Sequence, residues 1–436
     1  MEIKPFKAFR FDKAVVGDVG ACIAPPYDVI DPALQNRLYE KSRYNIVRII
    51  KGRTDPCDNP ANNQYTRAAG CLNSWINQGV LKQDSVEAVY AYVQNFQLAD
   101  TPYQRSSFIA LARIEQLGKT VMAHEHTLNA PVADRLNLLK ATGAQPGLVF
   151  MLYEDEKRIA ERVIEDVTVE QPVIDFTDEQ GVRHRLFAIT AGEQVTSVAE
   201  MMRDKDCVIA DGHHRYTAAV SYARQTKNPA AAYQMTAFSN ICSKDLAVLA
   251  THRLVSGVDG FDFGRLLNDI RKDFEITEYF FPSPATKPAA MRKMFNQMRT
   301  EPANAGNAFG MYAADKTFYT AVLKDNRIID TFAPDIKAVL KCLDVVVLHK
   351  LVLEKLLFIS EENQALGRNV EYLKDTENTV EQAIAEVDAG RKQLAFFMNP
   401  PTIDQIKKTA RTGARMPQKS TFFYPKVYSG LTIQKL

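Results

Sequence analysis

The chain has almost no excess charge of either sign: 54 lysines and arginines stand against 52 aspartates and glutamates. That balance excludes the global positive field by which proteins collect on nucleic acid or anionic membrane, so any basic site is local. The six cysteines, at 22, 57, 71, 207, 242 and 342, form no CxxC pair and no zinc spacing. This excludes a zinc ribbon, and reduced thiols are expected. No stretch approaches membrane-spanning length, and "MEIKPFKAFRF" has no apolar run of signal-peptide length, so a soluble cytoplasmic protein is expected. There is no P-loop glycine spacing, no nucleophile elbow, no low-complexity tract and no internal repeat.

What is present is an ordinary globular composition, 46% hydrophobic and 24% charged, over 436 residues, too long for one core. Strand and helix patterns alternate irregularly. "YNIVRII" (44–50) reads as a strand, "QYTRAAGCLNSWINQGVL" as an amphipathic helix stopped by Gly79, and Asp31 as the N-cap of a helix opening at Pro32. "EAVYAYVQNFQ" with "RSSFIALARIEQL", and the two halves of "PVIDFTDEQGVRHRLFAIT", read as hairpins. "LDVVVLHKLVLEKLL" is a strongly apolar helix or strand-helix, and "KQLAFFMNPP" a strand before a last helix. The expected class is α+β (mixed α/β), in three regions: 1–190, 191–260 and 261–436.

The most specific motif is "CVIADGHHRYTAAVSYAR" (207–224). Cys207 to Ala210 read as a buried strand, and from Arg215 onward Tyr216, Ala219, Val220 and Ala223 repeat at helical spacing. Asp211, Gly212, His213, His214 and Arg215 therefore sit on a corner where a helix presents free N–H groups and its positive dipole end. Gly212 lets the chain turn and an anion approach, and Arg215 offers a guanidinium for bidentate phosphate contacts. His213 or His214 is able to donate to phosphate or shuttle a proton, although neighbours on a helix cannot both face one way. Asp211 suits a Mg²⁺ ion or a hydroxyl proton, and equally a plain helix cap.

Four further clusters carry chemistry-bearing residues. In "MAHEHTLNAPVADRLNLLKATGAQP", His124 and His126 share one face of an extended segment, but a third metal ligand is not evident. Glu125 is better read as a carboxylate near the site, with Arg135 and Lys140 as phosphate partners or as a solvated helix face. In "ARMPQKSTFFYPKVYSGL", Arg415, Lys419 and Lys426 surround Ser420 and Thr421, a lining suited to a polyanion, while the aromatic run reads as core. Asp28 follows a rigid Pro-Pro-Tyr turn and suits a base, a metal or a turn. His252 and Arg253 close a strand in "THRLV".

"PPYDVI", "HEHT…DRLNLLKAT", "IADGHHRYTAA", "THR" and "MPQKSTFFYPK…SGL" resemble, in the same order and over essentially the whole chain, the marker segments of the domain-of-unknown-function family DUF1015. The "DGHHRYTAA" segment also resembles the phosphate-binding corner of the ParB/sulfiredoxin fold, which implies such a core with additional α/β subdomains. Members of that wider fold include free-serine kinases, and the resemblance implies a pyrophosphate-dependent branch: L-serine and pyrophosphate giving O-phospho-L-serine and phosphate, with Mg²⁺. It assigns Gly212, His213, His214, Arg215, Arg135, Lys419, Ser420 and Thr421 to the donor phosphates. Asp211 and Glu125 become candidates for metal or base, and Asp28 for the serine hydroxyl or amino group. His124, His252, Arg253, Arg415 and Lys426 are further candidates.

Phosphoryl transfer is mostly positioning and charge neutralisation, which this residue set suits. "DGHHR" lacks the sulfiredoxin cysteine, which argues against sulfinic-acid reduction. A nucleotide-dependent serine kinase, a phosphoserine phosphatase and a ParB-like nucleotide- or DNA-binding regulator share parts of the pattern. Charge balance speaks against the last. The expected partners are small molecules, with neither membrane nor nucleic acid, and the oligomeric state stays open.

Overall fold

The computed structural model describes residues 1–300 and 306–436. The class is α+β, and the chain divides into two compact units. The first comprises Met1–Ala123, Thr127–Ala247 and Pro425–Leu436; the second comprises His124–His126 and Val248–Tyr424. The borders therefore differ from the expected 190 and 260. Residues 191–247 supply two inner strands of the first unit's sheet, so no border falls at 190.

The described residues of the first unit form a nine-stranded mixed sheet. From one edge it runs Val121–Met122, Cys207–Asp211, Val149–Tyr153, Tyr233–Asn240, Thr101–Arg113, Val89–Leu98, Arg183–Ile189 and Ile174–Thr177, with Ile3–Lys4 paired to Thr101–Arg113. Strands buried on both faces read as continuous apolar runs, as "VYAYV" (89–93) does here. Helix Ile159–Val167 places Ala160, Val163, Ile164 and Val167 in one core with these strands, the i, i+3, i+4, i+7 stripe of a packed helix. Both expected hairpins form, Val89–Leu98 with Thr101–Arg113 and Ile174–Thr177 with Arg183–Ile189. Asp31 caps its helix, accepting from Leu34 N at 2.7 Å.

"YNIVRII" is not a strand. Val47–Ile50 is a helical turn, fixed by Asn45, whose Oδ1 accepts from Val47 N at 2.9 Å while its Nδ2 donates to Ala21 O at 2.7 Å. Ile46, Val47, Ile49 and Ile50 are all buried in a second core. The β-branched run serves burial there, and tertiary contacts override its strand propensity.

Residues 425–436 return to the first unit. Ile433 pairs with Phe9, and Ser429 with Ala24. Gly430 N donates to Pro146 O at 3.1 Å. Arg105, fully buried, donates through Nη2 to Pro425 O at 2.5 Å, and Gln94 Nε2 to Lys426 O at 3.0 Å. This short stretch is thus fixed at several points.

The described residues of the second unit form a six-stranded antiparallel sheet: Phe274–Phe280, Thr317–Leu323, Ala308–Tyr312, Leu394–Met398, Thr251–Val255 and Val370–Lys374. The apolar helix expected over 343–357 is present, α-helical over Asp344–Val347 and π-helical over Leu348–Glu354. No described helix is long and apolar enough to cross a membrane.

Candidate phosphate-binding corner

Strand Cys207–Asp211 ends in a turn at Gly212, and helix His213–Gln225 follows directly. Gly212 has φ +93°, a left-handed conformation that favours glycine. A Cβ at this position would lie 2.9 Å from Arg215 Nε and 3.1 Å from its Cζ. The missing side chain is what lets the guanidinium lie against the backbone.

Asp211 does not cap the helix. Its Oδ2 accepts from Arg215 Nη2 and its Oδ1 from Lys426 Nζ, so each oxygen holds a cation. Burial alone would raise this carboxyl, but Lys426 and Arg215 outweigh burial and hold it far below the usual carboxylate range. Arg215 also donates through Nη1 to Leu148 O. A carboxylate with both oxygens committed does not fit the expected magnesium ligand, and no group of three or more His, Cys, Asp or Glu suited to a metal occurs among the described residues.

Arg215 lines a pocket of about 500 Å³ with Tyr27, Arg135, Gln145, Gly147 and Ser429. Ile50, Leu138, Leu139 and Ala218 form an apolar wall. Arg135 lies over the Tyr27 ring with Cζ 3.9 Å from its centroid, donates to Ile50 O at 2.7 Å, and pairs with Asp134 at 2.5 Å. Burial pushes the Tyr27 hydroxyl up to about 12. Asp28, the next residue, is exposed. Lys140 is exposed on its helix.

The two adjacent histidines part company. His213 is buried, 5% exposed, beside Asp211, whose carboxylate it helps keep ionised. His214 Nε2 accepts from Leu128 N at 3.1 Å. Leu128 is the N-cap of helix Asn129–Thr142, so this ring serves that helix's start.

The second unit holds the other expected residues. His124 is fully buried and its Nε2 lies 3.0 Å from Thr421 Oγ1, whereas His126 is exposed. One ring is buried and the other exposed, so the two histidines do not share a face as expected. Glu125 Oε1 accepts from Lys419 N at 2.7 Å, and Met416 N donates to His124 O at 2.7 Å. Lys419 takes a left-handed φ of +57°, and Ser420 Oγ donates to Pro417 O at 2.6 Å. Glu125 thus pins a tight turn. Arg415 donates to Ala414 O at 3.0 Å. His252 Nδ1 accepts from Met398 N at 3.2 Å, and Arg253 is almost wholly buried.

Tyr27, Gln145, Gly147 and Ser429 were not singled out from the sequence. Tyr27 and Ser429 do lie inside motifs quoted above, "PPYDVI" and "YSGL", where only the charged neighbours drew notice. Gln145 lies near the end of the motif that begins at Met122, also without drawing notice, and Gly147 lies just beyond it.

The family model described as a protein of unknown function, DUF1015, matches residues 3–346. The chain belongs to that family. No curated protein matches it. Among solved structures the chain is similar to a free serine kinase in complex with AMP, at 13% identity and TM-score 0.35 over 72% of this chain and 86% of that one. It is similar to a conserved hypothetical protein from Pyrococcus furiosus, at 12% identity and TM-score 0.34 over 73% and 92%. SbnI with a C-terminal truncation from Staphylococcus aureus gives 10% identity and TM-score 0.35 over 75% and 87%.

Proposed function

We propose that this DUF1015 member is a phosphotransferase, specifically a pyrophosphate-dependent L-serine kinase. The observation that carries the reading is the corner at Asp211–Arg215. Two guanidiniums, Arg135 and Arg215 in the first turn of helix His213–Gln225, border one pocket, and Gly212 lets the second lie against the backbone, a combination suited to phosphate oxygens.

In the proposed reaction the serine Oγ attacks the terminal phosphorus of pyrophosphate. The Oγ–P bond forms, the bridging P–O bond breaks, and inorganic phosphate leaves with the bridging oxygen. Arg215 and Arg135 neutralise the charge spread over the transferring group. The hydroxyl proton needs a base. Asp211, held ionised by two cations, is a poor one and acts instead as the group that positions Arg215 and Lys426. Exposed Asp28, next to Tyr27 of the pocket, is the carboxylate assigned to that proton.

A nucleotide donor is the second reading. The apolar wall of Ile50, Leu138, Leu139 and Ala218 favours it, because bare pyrophosphate has no use for such a surface.

Phosphorus NMR on the full chain with Mg²⁺ and L-serine, offered pyrophosphate, ATP or ADP in separate tubes, tests both. A serine-dependent phosphomonoester from pyrophosphate, lost in Arg215→Ala, is the expected result. Signal from a nucleotide alone changes the donor and keeps the kinase. No phosphoserine from any donor overturns the reading.

A further inference from the structure

A second cavity, of about 320 Å³, lies within the second unit and is bordered by Thr251, Arg253, Asp344, Asn399, Pro400 and Ser420. Arg253 is 1% exposed, yet no carboxylate among the described residues pairs with it. Its guanidinium is held by neutral acceptors, Thr251 O and, at 3.5 Å, Lys419 O, with the Tyr372 ring 5.4 Å away. Arg253 Nε and Thr251 Oγ1 are both buried without a hydrogen-bond partner. Asp344 stands in the reverse condition. Among the described residues its oxygens accept from neutral donors, Asn307 Nδ2 at 3.1 Å, Ala308 N at 3.3 Å and Asn399 Nδ2 at 3.1 Å, and no cation meets it.

A shielded charge without an opposite partner is costly, and this pocket is bordered by a buried guanidinium and a half-buried carboxylate with no ion pair between them among the described residues. A ligand carrying both complementary charges relieves both costs at once. We infer that this cavity takes a small α-amino acid, its carboxylate on Arg253 and Thr251 and its ammonium on Asp344. Arg253 supplies the planar fork that matches a carboxylate, and Thr251 Oγ1 a further donor. The inference does not rest on the phosphotransfer reading, and Arg253 would be a binding residue rather than a catalytic one.

Calorimetric titration of the full chain, without any phosphate donor, tests it. The ligands are L-alanine, L-serine and L-cysteine, with ethylamine and propionate as analogues lacking the carboxylate or the ammonium. At least one amino acid is expected to bind, with both analogues weaker by about tenfold or more, the equivalent of one missing charged contact. Asp344→Asn is expected to abolish the preference of the site for an amino acid over propionate, and Thr251→Val to weaken carboxylate binding. Arg253→Lys, confirmed folded by circular dichroism, is expected to lose about tenfold in affinity. Absence of heat from every amino acid, propionate binding as tightly as the amino acids, or folded Asp344→Asn and Thr251→Val variants that bind as the wild type would overturn the inference. L-alanine has no hydroxyl to phosphorylate, so its binding is read independently of the kinase assay.

Discussion

Arg215 Nη2 donates to Asp211 Oδ2 across the first turn of the helix, while Lys426, 215 residues further along the chain, takes the other oxygen. One carboxylate thus orients two cations. Asp211→Asn would leave both facing an amide in a partly buried setting. Breaking a buried pair in this way costs about 3–5 kcal/mol. Urea unfolding is expected to show a loss approaching that range, with phosphotransfer falling alongside it. A variant as stable as the wild type would show that the pair contributes nothing.

Gly212→Ala meets two obstacles, a φ of +93° and a Cβ 2.9 Å from Arg215 Nε. Backbone strain of this kind costs on the order of 1–3 kcal/mol. The displaced guanidinium is expected to raise the KM for the phosphate donor. Unchanged melting temperature and KM would remove the reason given for a glycine here.

His214 separates a helix-start role from phosphate binding. Because its Nε2 accepts from Leu128 N, His214→Ala is expected to cost about 0.5–2 kcal/mol, like the loss of other cap groups. Its kcat/KM is expected to stay within about threefold of the wild type. A large drop in kcat/KM with stability intact would return His214 to the phosphate site.

Tyr27 carries Arg135 on its ring face, with Cζ 3.9 Å from the centroid. A cation–π contact contributes about 0.5–2 kcal/mol, so Tyr27→Ala is expected to raise the donor KM about 2- to 30-fold. Tyr27→Phe keeps the ring and is expected to stay near wild type. Equal defects in both variants would point to the hydroxyl instead.

Asp344 gives a pH signature. Burial pushes its carboxyl up to about 6, against about 4 in an unfolded chain. The folded state therefore binds the extra proton between these values, and stability falls as pH rises from about 4 to about 6. Asp344→Asn is expected to lose that component, read as the difference between the two unfolding free energies at pH 4, 5, 6 and 7. A difference constant across that range would count against it.

The local rules of the sequence settled a good deal. The α+β class, both hairpins, the Asp31 cap and the strand, turn and helix at 207–225 depend on neighbours a few residues apart, where apolar period, cap and glycine act directly. Tertiary structure decided the rest. "YNIVRII" has strand composition, but Asn45, bonded to Ala21 O, turns it into a buried helical turn. His213 and His214 are adjacent in sequence, yet Leu128 claims only the second. Asp211 looked free to hold metal until two cations, one from the distant C-terminal stretch, occupied its oxygens. A charged side chain takes its role from the partner that neutralises it, and that partner is chosen by how distant segments pack.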